Sequence, residues 1–231
     1  MPRPTGRPRA QGESPTGLGT REDILQAGAR LFCDTGYGST STHALAREAG
    51  VRQATLYHYF AGKHEVLLEL LLGTVAPSLA TARTLLDRPE PAAARLWALC
   101  ASDVRLLSGG DVNVGSLYLL PELADPRFAE FHARRAELQE TYAQLVAQCS
   151  PDPAWSRRIA PLVLDLVESV ILQRRRDADW IDEESGPMIA NAALRIVGLG
   201  EQAAEAAADA GRRILAGLPE DEDGLSDLTR S

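Results

Sequence analysis

Residues 42–59 of the chain read THALAREAGVRQATLYHY, a pattern typical of two short helices joined at a glycine. Helices that cross steeply need a small residue where their backbones approach, a residue that tolerates positive φ at the turn, and apolar residues that hold the second helix. The residues that meet these needs, in order, are Ala46, Gly50, Val51 and Leu56. The stretch therefore predicts a helix-turn-helix unit.

The second helix of this unit has a polar outer face, formed by Gln53, Ala54, Thr55, Tyr57 and His58. An amide can pair with a base edge, a methyl group can contact thymine, and hydroxyls or rings can reach phosphates. These side chains are therefore candidates for DNA contact. On the pattern alone, an ordinary helical hairpin inside a bundle explains the residues equally well.

Helical periodicity continues on both sides of the unit. Residues 21–35 form one amphipathic segment that ends at Gly36, and Thr40 and Ser41 can cap the helix that follows. From Lys63 a run continues to Pro77 that is apolar over too broad a face for a surface helix, so it is expected between two bodies. Further helices are predicted at 92–107, 114–120, 127–149, 154–176 and 187–216. Alternating strand patterns are missing, and the predicted fold class is all-α.

Composition excludes several classes of protein. Of the 231 residues 45% are hydrophobic and only 5% aromatic, which favours a core of packed aliphatic helices. The cysteines, Cys33, Cys100 and Cys149, have no disulfide or metal spacing, so we expect a reducing cytoplasm, no metal and no cofactor. No signal segment and no uninterrupted apolar run of about 20 residues is present, which argues against a membrane location.

Charge is distributed unevenly along the chain. The net charge is -8, yet residues 1–63 hold 8 basic against 5 acidic residues, and the remainder holds 16 against 27. Such asymmetry suggests that the N-terminal part meets a polyanion while the rest has another task. Lys63 is the only lysine.

A longer string of residues resembles a known family. Residues 32–37 (FCDTGY), 40–42 (TST), 49–51 (AGV) and 55–60 (TLYHYF), together with Lys63, resemble in order and spacing the DNA-binding domain of the tetracycline-repressor (TetR) family of bacterial regulators. The resemblance implies a three-helix DNA-binding domain and a larger helical domain that binds a small molecule and dimerises. We accordingly divide the chain into a flexible basic arm (1–20), a DNA-binding domain (21–63), a ligand-binding and dimerisation domain (64–218) and an acidic flexible tail (219–231).

The resemblance also assigns roles at double-stranded operator DNA. Thr42 and His43 would meet a phosphate and a base, while Gln53, Ala54 and Tyr57 would read the major groove. Thr55, His58 and Lys63 would hold the phosphate backbone. Arg52 departs from the family pattern, which often has a capping residue there, and would add a cation. Tyr37, Leu45, Leu56 and Phe60 are assigned to the core.

The ligand pocket is the second site that the resemblance implies. Its expected lining combines apolar residues with the polar Asp103, Tyr118 and Glu168, although the sequence alone permits a solid core. The expected effector is small and largely apolar. The candidate lining residues are Trp97, Cys100, Asp103, Val104, Leu117, Tyr118, Phe131, Leu138, Tyr142, Leu164, Glu168 and Ile171.

Two apolar stripes near the C-terminus are candidates for a dimer interface. They either face their own domain or, as the resemblance implies, form a four-helix bundle with a second copy. The stripes are Ile159, Leu162, Val163, Leu166 and Val170 on one helix and Ile189, Ala192, Ala193, Ile196, Gly200, Ala203 and Ala207 on the next.

The leading hypothesis is a homodimeric repressor that leaves a palindromic operator when a ligand binds. An enzyme is disfavoured, because His43, His58 and His64 lie in the DNA-binding region and His132 stands apart from other catalytic residue types. A helical ligand or lipid carrier of the same fold, without DNA binding, is the alternative. It would have no need of a groove-facing helix.

Overall fold

The computed structural model describes residues 16–150 and 152–218, and the regular structure in this part of the chain is entirely helical. The predicted all-α class is therefore confirmed. Most of the predicted basic arm and all of the predicted acidic tail lie outside the described residues. The α-helices are α1 (Thr20–Leu31), α2 (Thr42–Glu48), α3 (Gln53–Tyr59), α4 (Lys63–Leu86), α5 (Ala92–Ser108), α6 (Ala129–Cys149), α7 (Pro153–Arg176), α8 (Ser185–Val197) and α9 (Glu201–Ala216).

Helices α1, α2 and α3 form the N-terminal unit around Leu45 and Leu56, which are fully buried. Gly50 has φ 66° at the turn between α2 and α3, a conformation that a residue with a Cβ atom rarely adopts. The Ser41 side chain accepts a hydrogen bond from the backbone N–H of Ala44 and caps α2. Thr40, also predicted as a cap, is instead buried and donates its hydroxyl to the carbonyl of Gly36, 2.8 Å away.

Helix α4 links this unit to the rest of the molecule and packs against α1, α5 and α6. It extends well past Pro77, which cannot donate a hydrogen bond and so interrupts the backbone ladder in mid-helix. By length and composition α4 could cross a bilayer, because an 18-residue apolar window within it has a mean hydropathy of 1.4. Polar residues interrupt this window, so the sequence does not contain an unbroken apolar run. Half of that apolar window is buried inside the protein, as in many core helices.

Helix α5 is the centre of the larger domain, where it contacts α4, α6, α7, α8 and α9. Trp97 on α5 is fully buried, and its indole Nε1 donates to Oδ1 of Asn191 on α8 at 2.8 Å. A Cβ added to Gly211 of α9 would lie 2.6 Å from the Trp97 ring, so α9 needs a glycine here to pack this closely.

The prediction of a single helix over 187–216 is wrong, because the structure contains two helices there. Gly198 follows α8 with φ 98°, and α9 begins at Glu201 after Gly200. A left-handed glycine ends a helix and turns the chain, which directs α9 back across α5. The small residues of α9, Ala204, Ala207 and Ala208, are buried in this intramolecular contact.

Residues 109–128, here called the connector, join α5 to α6 through three short 3-10 helices. The 3-10 helix Val114–Leu119 contacts α4, α7 and the π-helical turn Phe32–Gly36 that follows α1. Cys33 in that turn contacts the carbonyl oxygen of Asn113 at 3.6 Å, and the Ser116 hydroxyl lies 3.8 Å from its sulfur. The connector thus touches both the N-terminal unit and the interior of the larger domain.

Candidate nucleic-acid interface and ligand cavity

The outer face of α3 is open to solvent. Gln53, Ala54, Tyr57 and His58 are exposed, Tyr57 by 50%, while Thr55 is half-buried. Leu56 lies on the opposite face and is fully buried, in the helix that packs against α2, so burial of one apolar side chain fixes which side chains point outward.

Helix α2 contributes to the same surface through its first residues. The Thr42 hydroxyl accepts a hydrogen bond from Nε2 of Gln53 at 3.0 Å and lies 3.2 Å from the Tyr57 hydroxyl. His43 is exposed beside it. Three of the predicted contact residues from two helices therefore form one small polar cluster, which holds the Gln53 and Tyr57 side chains in defined positions before any DNA is present.

Arg52 precedes α3 and is exposed, and its side chain makes no capping hydrogen bond. Its charge is therefore available to a ligand at the start of α3. Tyr59, absent from the sequence-based candidates, is 43% exposed and packs edge-on against His58, with ring centroids 5.3 Å apart. The four-residue run of rings at 57–60 signals an aromatic surface, but only the structure separates the buried Phe60 from the exposed Tyr59.

Lys63, which the resemblance assigns to a phosphate, is hydrogen-bonded within the protein. Its Nζ donates to the carbonyl oxygens of Tyr37 at 2.7 Å, Thr40 at 2.9 Å and Gly38 at 3.3 Å. It also lies 4.4 Å from the centroid of the Tyr37 ring, within cation–π distance. An ammonium group has three donors, and all three have acceptors within the protein. The geometry gives Lys63 a structural role, fastening the segment between α1 and α2 to the start of α4.

Buried Tyr37, Leu45, Leu56 and Phe60 match their predicted assignment to the core. Phe32 stacks edge-on against Tyr37 at 5.1 Å, and Arg21 lies 5.6 Å from the Phe60 ring while pairing with Glu69 of α4 at 2.8 Å. These contacts hold the N-terminal unit against α4.

A small cavity lies inside the larger domain between α4, α5, α6, α7 and the connector. Its volume is about 10 Å³, and half of its lining is polar. All three polar residues predicted for the pocket are part of it, together with the predicted Leu138 and Leu164. The lining comprises Thr74, Ser78, Asp103, Leu106, Leu107, Tyr118, Leu138, Leu164, Val167 and Glu168.

The remaining predicted lining residues are placed elsewhere in the core. Cys100, Val104, Leu117, Phe131 and Ile171 are buried but do not border the cavity. Trp97 packs against α8 and α9, and Tyr142 lies behind Asp103. Thr74 and Ser78 were missed because they lie on α4, where the continuous run of apolar residues masks two hydroxyl groups.

A larger, open groove of about 330 Å³ lies along the contact between α6 and α7, on the outside of the domain. The groove is open because small side chains line it, those of Ala136, Ala143 and Ala160. Its lining also includes the charged Glu140 and Arg157. Leu164 borders both the groove and the inner cavity.

The predicted dimer stripes divide between interior and surface. Ile159, Val163, Val170, Ile189, Ala193 and Ala207 are buried in their own subunit, whereas Leu162 is 53% exposed and Leu166, Ala192 and Ile196 are half-buried. Trp155 and Leu162, seven residues apart on one face of α7, and Met188 on α8 expose large apolar side chains. Gly200 and Ala203 are exposed at the start of α9.

Potential metal ligands are not grouped in the described residues. Groups of three or more His, Cys, Asp or Glu side chains able to hold a metal ion are absent from this part of the chain. Burial raises the pKa of Cys33 and of Cys149 to about 11, and it raises the pKa of Cys100 as well. These thiols are therefore protonated at neutral pH, unlike nucleophilic cysteines.

A helix-turn-helix unit with a solvent-facing second helix, joined by a long helix to an α-helical domain with an internal cavity, defines a DNA-binding regulator. Comparison with known proteins agrees. Residues 24–70 match the model described as "Bacterial regulatory proteins, tetR family". The crystal structure of AmtR from Mycobacterium smegmatis is similar at 45% identity and a TM-score of 0.80, covering 91% of this chain and all of that one.

The transcriptional repressor KstR2 of Mycobacterium tuberculosis is 27% identical over 177 residues, which is 74% of this chain and 84% of that protein. The structure of AibR in complex with isovaleryl coenzyme A and operator DNA shares the fold at 19% identity and a TM-score of 0.58, covering 76% of this chain and 96% of AibR. The chain belongs to the TetR family of transcriptional regulators, as the sequence predicted. The matching family model describes regulatory proteins, and KstR2 is a transcriptional repressor.

Proposed function

We propose that the protein is a homodimeric transcriptional repressor that acts in the cytoplasm, binds a palindromic operator through α3, and releases it when a small molecule occupies the larger domain. Residues 21–63 would bind DNA, and residues 64–218 would bind the ligand and form the dimer. The observation that carries the proposal is the polar cluster of Thr42, Gln53 and Tyr57 on an exposed helix-turn-helix surface. Amide and phenol groups of this kind discriminate between base edges in the major groove.

The exposed apolar face of α7 and α8 supports the dimer. Leu162 and Met188 are about half exposed although both lie next to fully buried core residues. Two such helices from each subunit would make a four-helix bundle, and a two-fold axis would place the two α3 helices on successive turns of the major groove.

Two routes would transmit ligand binding to α3. Helix α4 begins at Lys63, which is fastened to the segment before α2, and carries Thr74 and Ser78 on the cavity. The connector bears Tyr118 on the cavity and contacts Cys33 through Asn113 and Ser116. A ligand that displaces Tyr118 or α4 would therefore shift the N-terminal unit. Because binding is reciprocal, operator DNA would weaken ligand affinity by the same factor, typically about 5–150-fold.

A gel-shift assay on the DNA upstream of the protein's own gene tests the DNA-binding part of the proposal. Gln53→Ala and Tyr57→Ala should each weaken operator binding by roughly 1–3 kcal/mol and reduce the preference for operator over random DNA, because base-edge contacts carry discrimination. Gln202→Ala, an exposed glutamine on α9, is the matched control and should bind as the parent does.

A helical ligand carrier of the same fold would bind no specific DNA. The proposal is contradicted if the parent protein shows no preference for any duplex, or if both α3 variants keep the parental ratio of operator to random binding.

A further inference from the structure

We propose that the inner cavity recognises a compact nitrogen-based hydrogen-bond donor, an alkylammonium or amide head group, and not an anionic or purely apolar ligand. The head group would donate toward Asp103, Ser78 and Tyr118. This inference rests on the proposed function and specifies the chemistry of the ligand that releases the DNA. It differs from the largely apolar effector that the sequence suggested.

The hydroxyl of Tyr118 donates its hydrogen to Thr74 and presents only an acceptor to the cavity. The Thr74 hydroxyl has one hydrogen, and it points to the carbonyl oxygen of Leu71 at 2.7 Å. Tyr118 lies 2.6 Å from the same Thr74 oxygen, so Tyr118 must be the donor in that contact. Burial raises the pKa of Tyr118, which keeps the phenol protonated and able to donate. The Tyr118 oxygen is left with lone pairs and no hydrogen for a ligand.

Asp103 likewise presents an acceptor to the cavity. Its Oδ2 atom accepts the Tyr142 hydroxyl at 2.6 Å, and the carboxyl group is 3% exposed at the edge of the cavity. Burial and the neighbouring negative charge of Asp103 raise the pKa of Tyr142, so Tyr142 remains a neutral donor. The donor comes from behind the carboxylate, on a residue that does not border the cavity, and the cavity wall gains another acceptor.

Arg135, a positive charge beside this wall, is already paired with Glu168. Arg135 donates to both oxygens of Glu168 at 2.6 and 2.8 Å, and its guanidinium carbon lies 4.7 Å from the centroid of the Tyr118 ring. An anionic ligand would therefore meet two carboxylates and a phenol oxygen, while the charge of Arg135 is already neutralised by Glu168. A donor head group meets the acceptors it needs.

Ser78 is the independent sign that a ligand group belongs here. It is 5% exposed and borders the cavity, and its hydroxyl oxygen has no hydrogen-bond partner among the described residues. A buried hydroxyl without a partner is destabilising, so such groups are rare unless something fills the site.

The cavity has room for the donor atom of a head group. Its volume of about 10 Å³ accommodates one non-hydrogen atom of the size of a water molecule. The rest of the wall is apolar, formed by Leu106, Leu107, Leu138, Leu164 and Val167, and can surround a short hydrocarbon tail once these side chains move apart. A nitrogen atom seated among the acceptors would lie against Ser78 and Thr74 on α4 and against Tyr118 on the connector.

Three probes of equal length test the donor class on the full-length protein near neutral pH: n-butylammonium, butanamide and butanoate. Affinities are measured by ligand-observed NMR titration. We expect the ammonium and the amide to bind, and butanoate to bind at least about tenfold more weakly, which corresponds to about 1.4 kcal/mol lost when acceptors face acceptors.

Ser78→Ala and Asp103→Asn separate the inner cavity from other places where an amine could bind. Each should weaken n-butylammonium binding roughly three- to tenfold through loss of one hydrogen bond. Ser78→Ala should leave the melting temperature unchanged or raise it, because the hydroxyl it removes has no partner. Two control variants should leave the affinity unchanged. One is Ser156→Ala, which changes a buried serine on α7, and the other is Glu140→Gln, which changes a residue of the outer groove.

Three results would overturn the inference: butanoate binding as tightly as the donors, binding of no probe at all, or probe affinities that Glu140→Gln lowers while Ser78→Ala and Asp103→Asn leave them unchanged. The operator gel shift, run beside these titrations, keeps the two proposals apart. Release of operator by butanoate would preserve ligand control and refute only the donor chemistry. Donor binding without specific DNA binding would do the opposite.

Discussion

The ammonium group of Lys63 connects two parts of the chain that are 23 to 26 residues apart. We expect Lys63→Met, which keeps the side-chain stem and removes the charge, to lower the free energy of unfolding by about 1.5–3 kcal/mol, the range for hydrogen bonds to charged groups. Thermal and urea unfolding measure this loss. We expect the dependence of log K for DNA on log salt to be unchanged, because the three Lys63 donors are already engaged within the protein.

The opposite pair of results would restore the phosphate role that the sequence resemblance suggested. A melting temperature equal to that of the parent, with a salt slope reduced by about one, would show that Lys63 turns to DNA in the complex and contributes little to the fold.

The three cysteines should be poor nucleophiles in the folded protein. Burial raises the pKa of the Cys33 and Cys149 thiols from 9.0 to about 11, so the reactive thiolate forms in the unfolded chain at lower pH than in the native protein. We expect slow alkylation by iodoacetamide near neutral pH and fast alkylation in denaturant, both followed by mass spectrometry. Stability should also fall as the pH rises above about 9, because the unfolded state loses protons first.

Rapid alkylation of Cys33 in native protein would contradict this and would mean that the contact between Cys33 and the connector opens readily.

Individual side chains differ in how far sequence could predict them. Leu56, Phe60 and Gly50 were predictable because local spacing alone fixes which side of a short helix is buried and where it turns. The partners of Lys63 were not, because they are backbone carbonyls brought close only by the packing of α4 on the N-terminal unit. Thr74 and Ser78 were hidden for a related reason, since cavity lining depends on how separate helices meet.

Helices α7 and α8 carry the proposed dimer contact, and one charge should break it. Leu162→Glu would place a carboxylate in the apolar face between two subunits, where an unpaired charge is costly. We expect analytical ultracentrifugation to show a folded monomer and a gel shift to show greatly weakened operator binding. Leu119→Glu is the matched control, since Leu119 is 65% exposed on the connector, outside these helices.

Sedimentation of the parent protein as a monomer would contradict the proposed dimer. A Leu162→Glu dimer as stable as the parent would leave two subunits but move their interface away from α7.

The break between α8 and α9 shows where pattern reading fails for whole helices. Alanine-rich apolar spacing continues across Gly198 and Gly200, so periodicity alone predicts one helix. The two glycines were the available signal. Their effect becomes evident only because the buried Trp97 face of α5 accepts α9, with Gly211 allowing the close approach.

The complete protein is proposed to couple an inner cavity to a DNA-reading surface through α4 and the connector. Its DNA specificity depends on two α3 helices held at a fixed separation by a two-fold axis, so the arrangement of the bound sequence reports on the fold, the dimer and the assigned surface together.

Selection of bound duplexes from a random library by the full-length protein, followed by sequencing, tests this arrangement most directly. We predict an inverted repeat whose half-sites are centred about 34–36 Å apart or somewhat beyond, and we expect Gln53→Ala to relax the same base position in both halves. Enrichment of a single unrepeated site, or of no sequence at all, would contradict this prediction.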